Sequence, residues 1–199
     1  MAASNIVLSN QGGLMKPIPR HQCLIYRGAP TEQLAGLALL IRKKLEANYR
    51  CLYLNSPQMV TGMRAYLTSS GLDVHQAVVN GRLILSSSHD HLVEGEFDPQ
   101  RMLQLLKEAY DGALKDGYAG LWASGDMAWE FGPGRDFDKL VQYERELEAV
   151  FHSHPNLHGV CQYHADVLPE EAVTSGRALH PAIYVNETLS RINADYVPA

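Results

Sequence analysis

The sequence predicts a three-layer α/β domain whose mostly parallel sheet is flanked by helices. Short apolar segments of β character alternate with amphipathic stretches of about 10–15 residues, which is typical of βαβ units. The chain has 199 residues and a hydrophobic content of 46%, which fits one globular domain. Asn80-Gly81 stands between apolar segments and predicts a β-hairpin over residues 74–88, added to the parallel sheet. We expect an N-terminal arm at residues 1–19 and a single domain at residues 20–199.

The first half of the domain is predicted to hold two buried strands, each followed by a helix. HQCLIY at residues 21–26 is the first core strand, and Thr31 is placed to cap the helix after it. Apolar residues then recur on one helical face up to Leu45. CLYLN at residues 51–55 is the second strand, and Ser56-Pro57 opens the next helix.

The second half continues the alternation of helices and strands. Asp98-Pro99 supplies an N-cap and a first-turn proline, and Gly117 ends that helix. The remaining predicted elements are a strand around Leu121, a helix at 136–152, a strand at 158–164, a helix at 169–179 and a strand at 182–186.

Composition argues against several classes of protein. The net charge is −5 and the basic residues are scattered, so no basic face for nucleic acid is expected. No apolar segment is long enough to span a membrane, and the N-terminus lacks the features of a signal peptide. Cys23, Cys51 and Cys161 are isolated in apolar segments and are predicted to be buried free thiols. These features predict a cytoplasmic protein.

The connection after the first strand lacks the residues that hold a nucleotide. Residues 26–31 contain one glycine, no lysine and Pro30, which has no N–H to donate. No G-x-G-x-x-G or G-x-S-x-G pattern occurs elsewhere in the chain. We therefore expect a non-enzymatic protein without a cofactor, and a degenerate nucleotide-binding protein is the alternative.

The stretch GLWASGDMAWE at residues 120–130 marks the predicted binding site. A buried strand breaks at Ser124-Gly125 and then presents Asp126 and Trp129, and ligands of open α/β sheets bind at the carboxyl ends of strands. Aromatic and polar residues at other strand ends complete a pocket for a small, partly apolar ligand. The alternative is that Trp129 only packs in the core and Asp126 only caps a turn. The predicted ligand-binding residues are Tyr26, Arg27, Asp126, Trp129, Glu144, Tyr163 and His164.

Glu144 is included because it falls in the middle of an apolar helical stripe. Leu140 and Leu147 lie on the same predicted face, and an unpartnered buried carboxylate is costly. Glu144 is therefore either a satisfied structural residue or a ligand-facing acid with a raised pKa.

Histidines raise the alternative of a metal-binding sensor or enzyme. His89 and His91 would share one face of a strand, and His164 follows a later strand. A strand end before a loop is a poor place for two fixed ligands, so these residues are weak metal candidates.

Five segments in order resemble the DcmR-type sensory domain, also called the MEDS domain. They are HQCLIY, SGDMAW, QYERELE, VCQYH and LHPAIYVN with NADYVP. The family's patterns fall on His21, Cys23 and Tyr26, on Gly125 to Met127 with Trp129, on Tyr143 and Glu144, and on Cys161 to His164. Asp126 stands where the family pattern has Glu, and His164 stands where it has Asp, which predicts a changed ligand.

The resemblance implies a cytoplasmic signal-input domain related to the RecA/KaiC-like fold but without a working P-loop. Its ligand would be a small metabolite, with hydrocarbon derivatives as one class. Its partner would be a histidine kinase or a transcription regulator, and a second copy of the chain is a further candidate. The resemblance gives no reason to expect direct contact with nucleic acid or membrane.

Overall fold

A computed structural model describes residues 19–130, 136–186 and 189–198, and it confirms the predicted α/β class. The central sheet has seven strands in the order β3-β2-β6-β7-β1-β8-β9, and all but β9 run parallel to their neighbours. Its strands are β1 (His21–Tyr26), β2 (Tyr49–Leu54), β3 (Leu83–Ser86), β6 (Gly120–Asp126), β7 (Leu157–His164), β8 (Ala182–Asn186) and β9 (Leu189–Ile192). A separate antiparallel pair is formed by β4 (Leu92–Val93) and β5 (Glu96–Phe97).

Helices cover both faces of the sheet and give the three layers. The helices are α1 (Leu34–Glu46), α2 (Pro57–Ser69), α3 (Val74–Val79), α4 (Pro99–Lys115), α5 (Met127–Glu130), α6 (Phe137–Ser153) and α7 (Glu170–Ala178). Helices α1, α2 and α3 pack on one face, called here the α1 face, around Trp122 and Tyr53. Helices α4, α6 and α7 pack on the opposite α6 face, around Leu121 and Tyr163.

The hairpin predicted over residues 74–88 is wrong, because its first half is helix α3. Asp73 caps this helix by accepting the Gln76 N–H at 2.9 Å, and Val74 and Ala77 are buried at helical spacing. Asn80-Gly81 ends the helix instead of turning a hairpin, and only β3 follows as a strand. The antiparallel hairpin is instead β4–β5, whose two turn residues Glu94 and Gly95 both have positive φ.

The chain order creates a switch point between β1 and β7, which are neighbours in the sheet. After β1 the chain passes to α1 on one face, whereas after β7 it passes to α7 on the other. Tyr26 and His164 are the last residues of these strands and lie in register. Such a crevice is where open α/β sheets bind ligands.

The three cysteines are buried and form no disulfide, as predicted. Among the residues that the structure describes, no helix has the length and apolar character needed to cross a membrane. The Gly132–Gly134 loop and the arm up to residue 18 lie outside the described residues.

Candidate functional site

Three of the predicted residues meet at the switch point, and we call Tyr26, Asp126 and His164 the switch-point group. The Tyr26 hydroxyl donates to Asp126 Oδ2 at 3.1 Å, and the Tyr26 ring stacks on His164 with centroids 4.8 Å apart. Asp126 also accepts the Trp129 N–H at 3.0 Å, so it caps α5 as well. Burial raises the pKa of Asp126, against the lowering effect of these hydrogen bonds.

His164 and Arg27 flank this group in different ways. His164 Nε2 is buried and has no hydrogen-bond partner among the described residues, and Asp166 Oδ2 lies 4.0 Å away. Arg27 is 75% exposed and pairs with Asp166 at 2.7 Å. The Gly28 N–H also donates to Asp166, at 2.8 Å. Arg27 therefore ties together the loops after β1 and β7 from the solvent side.

Trp129 lies at the edge of the switch-point group, against two histidines. Its ring centroid is 4.9 Å from that of His89 and 5.5 Å from that of His91. These histidines lie in the loop before β4, so they do not share one face of a strand. Within the described residues, neither His89, His91 nor His164 belongs to a group of side chains close enough together to hold a metal ion. The prediction of a metal at those three residues therefore gains no support.

Glu144 and Tyr163 lie on the other face of the sheet from the switch-point group. Side chains alternate along β7, so Tyr163 points to the α6 face while His164 belongs with Tyr26 on the α1 side. The Tyr163 hydroxyl donates to Glu144 Oε1, and Glu144 is fully buried. Burial raises the pKa of Glu144 to about 8, although the Tyr163 bond acts in the opposite direction. The seven predicted residues thus do not form one pocket.

Glu144 belongs to a group that we call the His–Glu–Cys cluster: His21, Glu144, Cys161 and His180. All four are buried, and one ligand atom from each lies within 4.8 Å of the others. His21 begins β1, Cys161 lies within β7, Glu144 comes from α6 and His180 precedes β8. His21 Nε2 is 3.4 Å from Cys161 Sγ and 3.8 Å from Glu144 Oε2. His180 Nε2 is 3.5 Å from Glu144 Oε2.

The outer nitrogens of both imidazoles are already occupied. His21 Nδ1 lies 2.7 Å from Glu148 Oε2, and His180 Nδ1 lies 2.6 Å from the Gly176 carbonyl. A carbonyl or carboxylate oxygen accepts, so each Nδ1 carries the proton and each Nε2 presents a lone pair to the cluster. Burial lowers the pKa of His21 to about 3 and that of His180 well below its ordinary value. Both rings are therefore neutral.

Sequence reasoning missed His21 and His180 as members of a site. Both occur in segments that carry the family resemblance, HQCLIY and LHPAIYVN, but they are 159 positions apart in the chain. The available signal was a histidine next to an apolar strand at each end of the domain. Only the pairing of β1 with both β7 and β8 brings them together.

An apolar cleft lies between the sheet and helices α4 and α6, on the α6 face. The cleft is narrow: the centre of a water-sized molecule has about 30 Å³ in which to move. It is lined by Leu52, Leu54, Met102, Leu106, Ala123, Gly125, Met127, Tyr143, Leu147, Phe151, Gly159, Val160 and Cys161. Cys161 therefore belongs both to this cleft and to the His–Glu–Cys cluster. Met127 connects the cleft to α5, which Asp126 caps.

The comparison with family models agrees with the resemblance found in the sequence. The sequence model of the methanogen/methylotroph DcmR sensory domain, MEDS, matches residues 20–181. The chain belongs to the MEDS family. The match covers most of the chain and includes the switch-point group and all four residues of the His–Glu–Cys cluster. A sensory role is thereby supported.

Solved structures show the same fold in a distant protein. An uncharacterized protein from Pyrococcus horikoshii, crystallised in complex with an unknown peptide, superposes with a TM-score of 0.63 at 12% sequence identity. The alignment covers 83% of this chain and 76% of that chain. At this identity the similarity shows the fold alone. Among curated proteins, none matches the chain.

Proposed function

We propose that this MEDS domain is a non-enzymatic sensor that binds a small, largely apolar metabolite in the apolar cleft. The observation that carries the proposal is the cleft itself, whose lining is almost wholly apolar. Ligand sites are concave and mostly apolar, with a few polar groups that fix orientation. Tyr143 and Cys161 are the lining residues whose side chains carry a hydroxyl or a thiol. The narrow space suits a hydrocarbon derivative of a few heavy atoms.

The route from the cleft to a partner would pass through α5. Met127 lines the cleft, and the helix that it begins is fastened by Asp126 and by the contact of Trp129 with two histidines. A ligand in the cleft would contact Met127 and displace this short helix. We propose a cytoplasmic signalling protein as the receiver, either a histidine kinase or a transcription regulator.

The lack of a P-loop supports the proposal that the domain is not an enzyme. The RecA/KaiC-like relationship is proposed from the family resemblance, and the connection after β1 has one glycine and no lysine, so it does not match a P-loop. The predicted ligand residues of the switch-point group remain a second location for the same ligand.

The test is thermal unfolding in the presence of dichloromethane, methanol and 1-butanol as small probes. A ligand that binds only the folded state raises the midpoint of unfolding, because it stabilises that state by RT ln(1 + L/Kd), where L is the free ligand concentration. We expect at least one probe to raise the midpoint in the wild-type protein, with a rise that follows the logarithm of the probe concentration above Kd. Ala123→Leu would fill the cleft and remove the response.

Ala35→Leu is the matched control, because Ala35 is exposed on α1 while Ala123 lines the cleft. It makes the same change in volume and should leave the response intact. If a folded Ala123→Leu protein responds as the wild type does, the ligand does not bind in the cleft.

A further inference from the structure

The His–Glu–Cys cluster has the composition of a metal site. Two imidazole nitrogens, one thiol sulfur and one carboxylate oxygen converge from four separate segments of the chain, and all four side chains are buried. Imidazole and thiolate ligands favour Zn²⁺ and related first-row ions over Mg²⁺ or Ca²⁺. We propose that these four residues bind one divalent transition-metal ion, with Zn²⁺ as the best fit. The inference does not depend on the proposed sensory function, although Cys161 also lines the cleft.

Three of the six separations between the ligand atoms are close to those of a tetrahedral site, and all six lie within 4.8 Å. Zinc bonds of about 2.0–2.1 Å to nitrogen and about 2.3 Å to sulfur imply ligand-to-ligand distances of about 3.3–3.6 Å. The measured separations are 3.4 Å for His21 Nε2 to Cys161 Sγ and 3.5 Å for His180 Nε2 to Glu144 Oε2. The 3.8 Å from His21 Nε2 to Glu144 Oε2 requires only a small contraction.

Two atoms of the cluster face each other and form no hydrogen bond with each other. His180 Nε2 and Glu144 Oε2 are buried, and neither has a hydrogen-bond partner among the described residues. When Glu144 is a carboxylate, the two atoms are both acceptors, and burying them 3.5 Å apart without a donor or a cation costs free energy. A cation between them would satisfy both at once.

The surroundings hold the ligands in the orientation that a metal requires. Glu148 accepts from His21 Nδ1, the Gly176 carbonyl accepts from His180 Nδ1, and the Tyr163 hydroxyl donates to Glu144 Oε1. Metal-bound histidines commonly use their second nitrogen in this way, and ligating carboxylates are hydrogen-bonded in turn. Each of these outer bonds leaves the inner atom free to face the cluster.

Charge also balances in the proposed centre. The thiolate of Cys161 and the carboxylate of Glu144 carry two negative charges, which a divalent ion neutralises, and both imidazoles are neutral ligands. A neutral centre avoids the large cost of an uncompensated buried charge. Because the protein supplies all four ligands, the site is closed, as structural zinc sites are. It would join β1, β7, α6 and the segment before β8.

The test begins with the wild-type protein, expressed with zinc and analysed for metal content by mass spectrometry. We expect about one Zn²⁺ per folded chain. X-ray absorption at the zinc edge should then show one sulfur at about 2.3 Å and three nitrogen or oxygen neighbours at about 2.0–2.1 Å. After removal of zinc with a chelator, added Co²⁺ should give a thiolate-to-cobalt charge-transfer band.

Variants locate the site. Cys161→Ser should remove the charge-transfer band, and His180→Gln should lower metal retention at least tenfold. Cys51→Ser is the matched control, because Cys51 is another buried cysteine and lies on the α1 face, outside the cluster. It should leave both the zinc content and the cobalt band unchanged.

Two results would overturn the proposal. One is a folded wild-type protein that retains less than about a tenth of an equivalent of zinc and gives no cobalt charge-transfer band. The other is a sulfur-free zinc spectrum, or a metal content unaffected by both cluster variants. The absorption spectrum of the wild-type protein decides the matter even if a variant fails to fold. None of these measurements depends on a small-molecule ligand of the cleft.

Discussion

Gly176→Ala is predicted to destabilise the protein, although alanine normally stabilises a helix. Gly176 lies within α7 and has ordinary helical backbone geometry, so alanine would fit the backbone. A Cβ there would lie 2.5 Å from the Tyr163 hydroxyl oxygen and closer still to two carbons of that ring. Tyr163 is fully buried, and its hydroxyl donates to Glu144, so it has little freedom to move away.

The magnitude follows from three opposing contributions. Replacing glycine by alanine in a helix interior gains about 1 kcal/mol of intrinsic propensity. Overpacking a rigid interior costs about 1–3 kcal/mol, and losing the Tyr163–Glu144 hydrogen bond costs about 1–3 kcal/mol more. The free energy of unfolding should therefore fall by about 1–5 kcal/mol in total. The variant should also disturb His180, which donates to the carbonyl of Gly176.

Gly112→Ala is the matched control for this prediction. Gly112 lies within α4, where a Cβ would meet only the Arg50 guanidinium at an ordinary 3.5 Å. This variant should gain up to about 1 kcal/mol from propensity alone. Urea unfolding followed by circular dichroism measures both changes. If Gly176→Ala is as stable as Gly112→Ala, the packing of Tyr163 against α7 is wrong.

Two further predictions concern the carboxyl end of β6. Trp129→Ala should abolish the stabilisation by a bound probe while the protein still unfolds cooperatively, because Trp129 fastens the helix that follows Met127. Tyr66→Ala, at an exposed tyrosine of α2, is its control, and an undiminished probe response in Trp129→Ala would contradict the prediction. Asp126→Asn should gain stability relative to the wild type as the pH rises above the ordinary Asp value of 3.8. The reason is that burial raises the pKa of Asp126, so the folded wild-type protein binds the proton more tightly and loses stability as that proton is lost. Urea midpoints of both proteins between roughly pH 4 and 7 measure this difference, and a difference that stays constant with pH would refute it.

The sequence predicts correctly those strands and helices whose local residue pattern matches their environment in the folded protein. The alternation of apolar strands with capped helices predicted the parallel sheet, and the caps Asp98 and Ser56 occupy their expected positions. The hairpin prediction failed because Asn80-Gly81 can end a helix as readily as it can turn a hairpin. Burial of Val74 and Ala77 against the α1 face decided for the helix.

The candidate site could be predicted only in part. The alternation of side chains along each strand and the order of the strands decide which residues meet in the switch-point group and which meet in the His–Glu–Cys cluster. Asp126, Tyr26 and His164 come together as expected, since the carboxyl ends of adjacent parallel strands share one edge of the sheet. Glu144 was singled out correctly as a buried carboxyl that has a partner, Tyr163. Its other neighbours come from distant segments, and no local spacing indicates that β1 separates β7 from β8.

The most direct test of the proposed function is NMR of the methionine methyl groups during titration with dichloromethane. Met102 and Met127 line the apolar cleft, whereas Met59 and Met63 lie in the core of the α1 face and serve as internal controls. We expect saturable shifts of the Met102 and Met127 signals, with those of Met59 and Met63 unchanged. Shifts that do not saturate, or that affect all four methyl groups equally, would contradict binding of a small apolar ligand in the cleft.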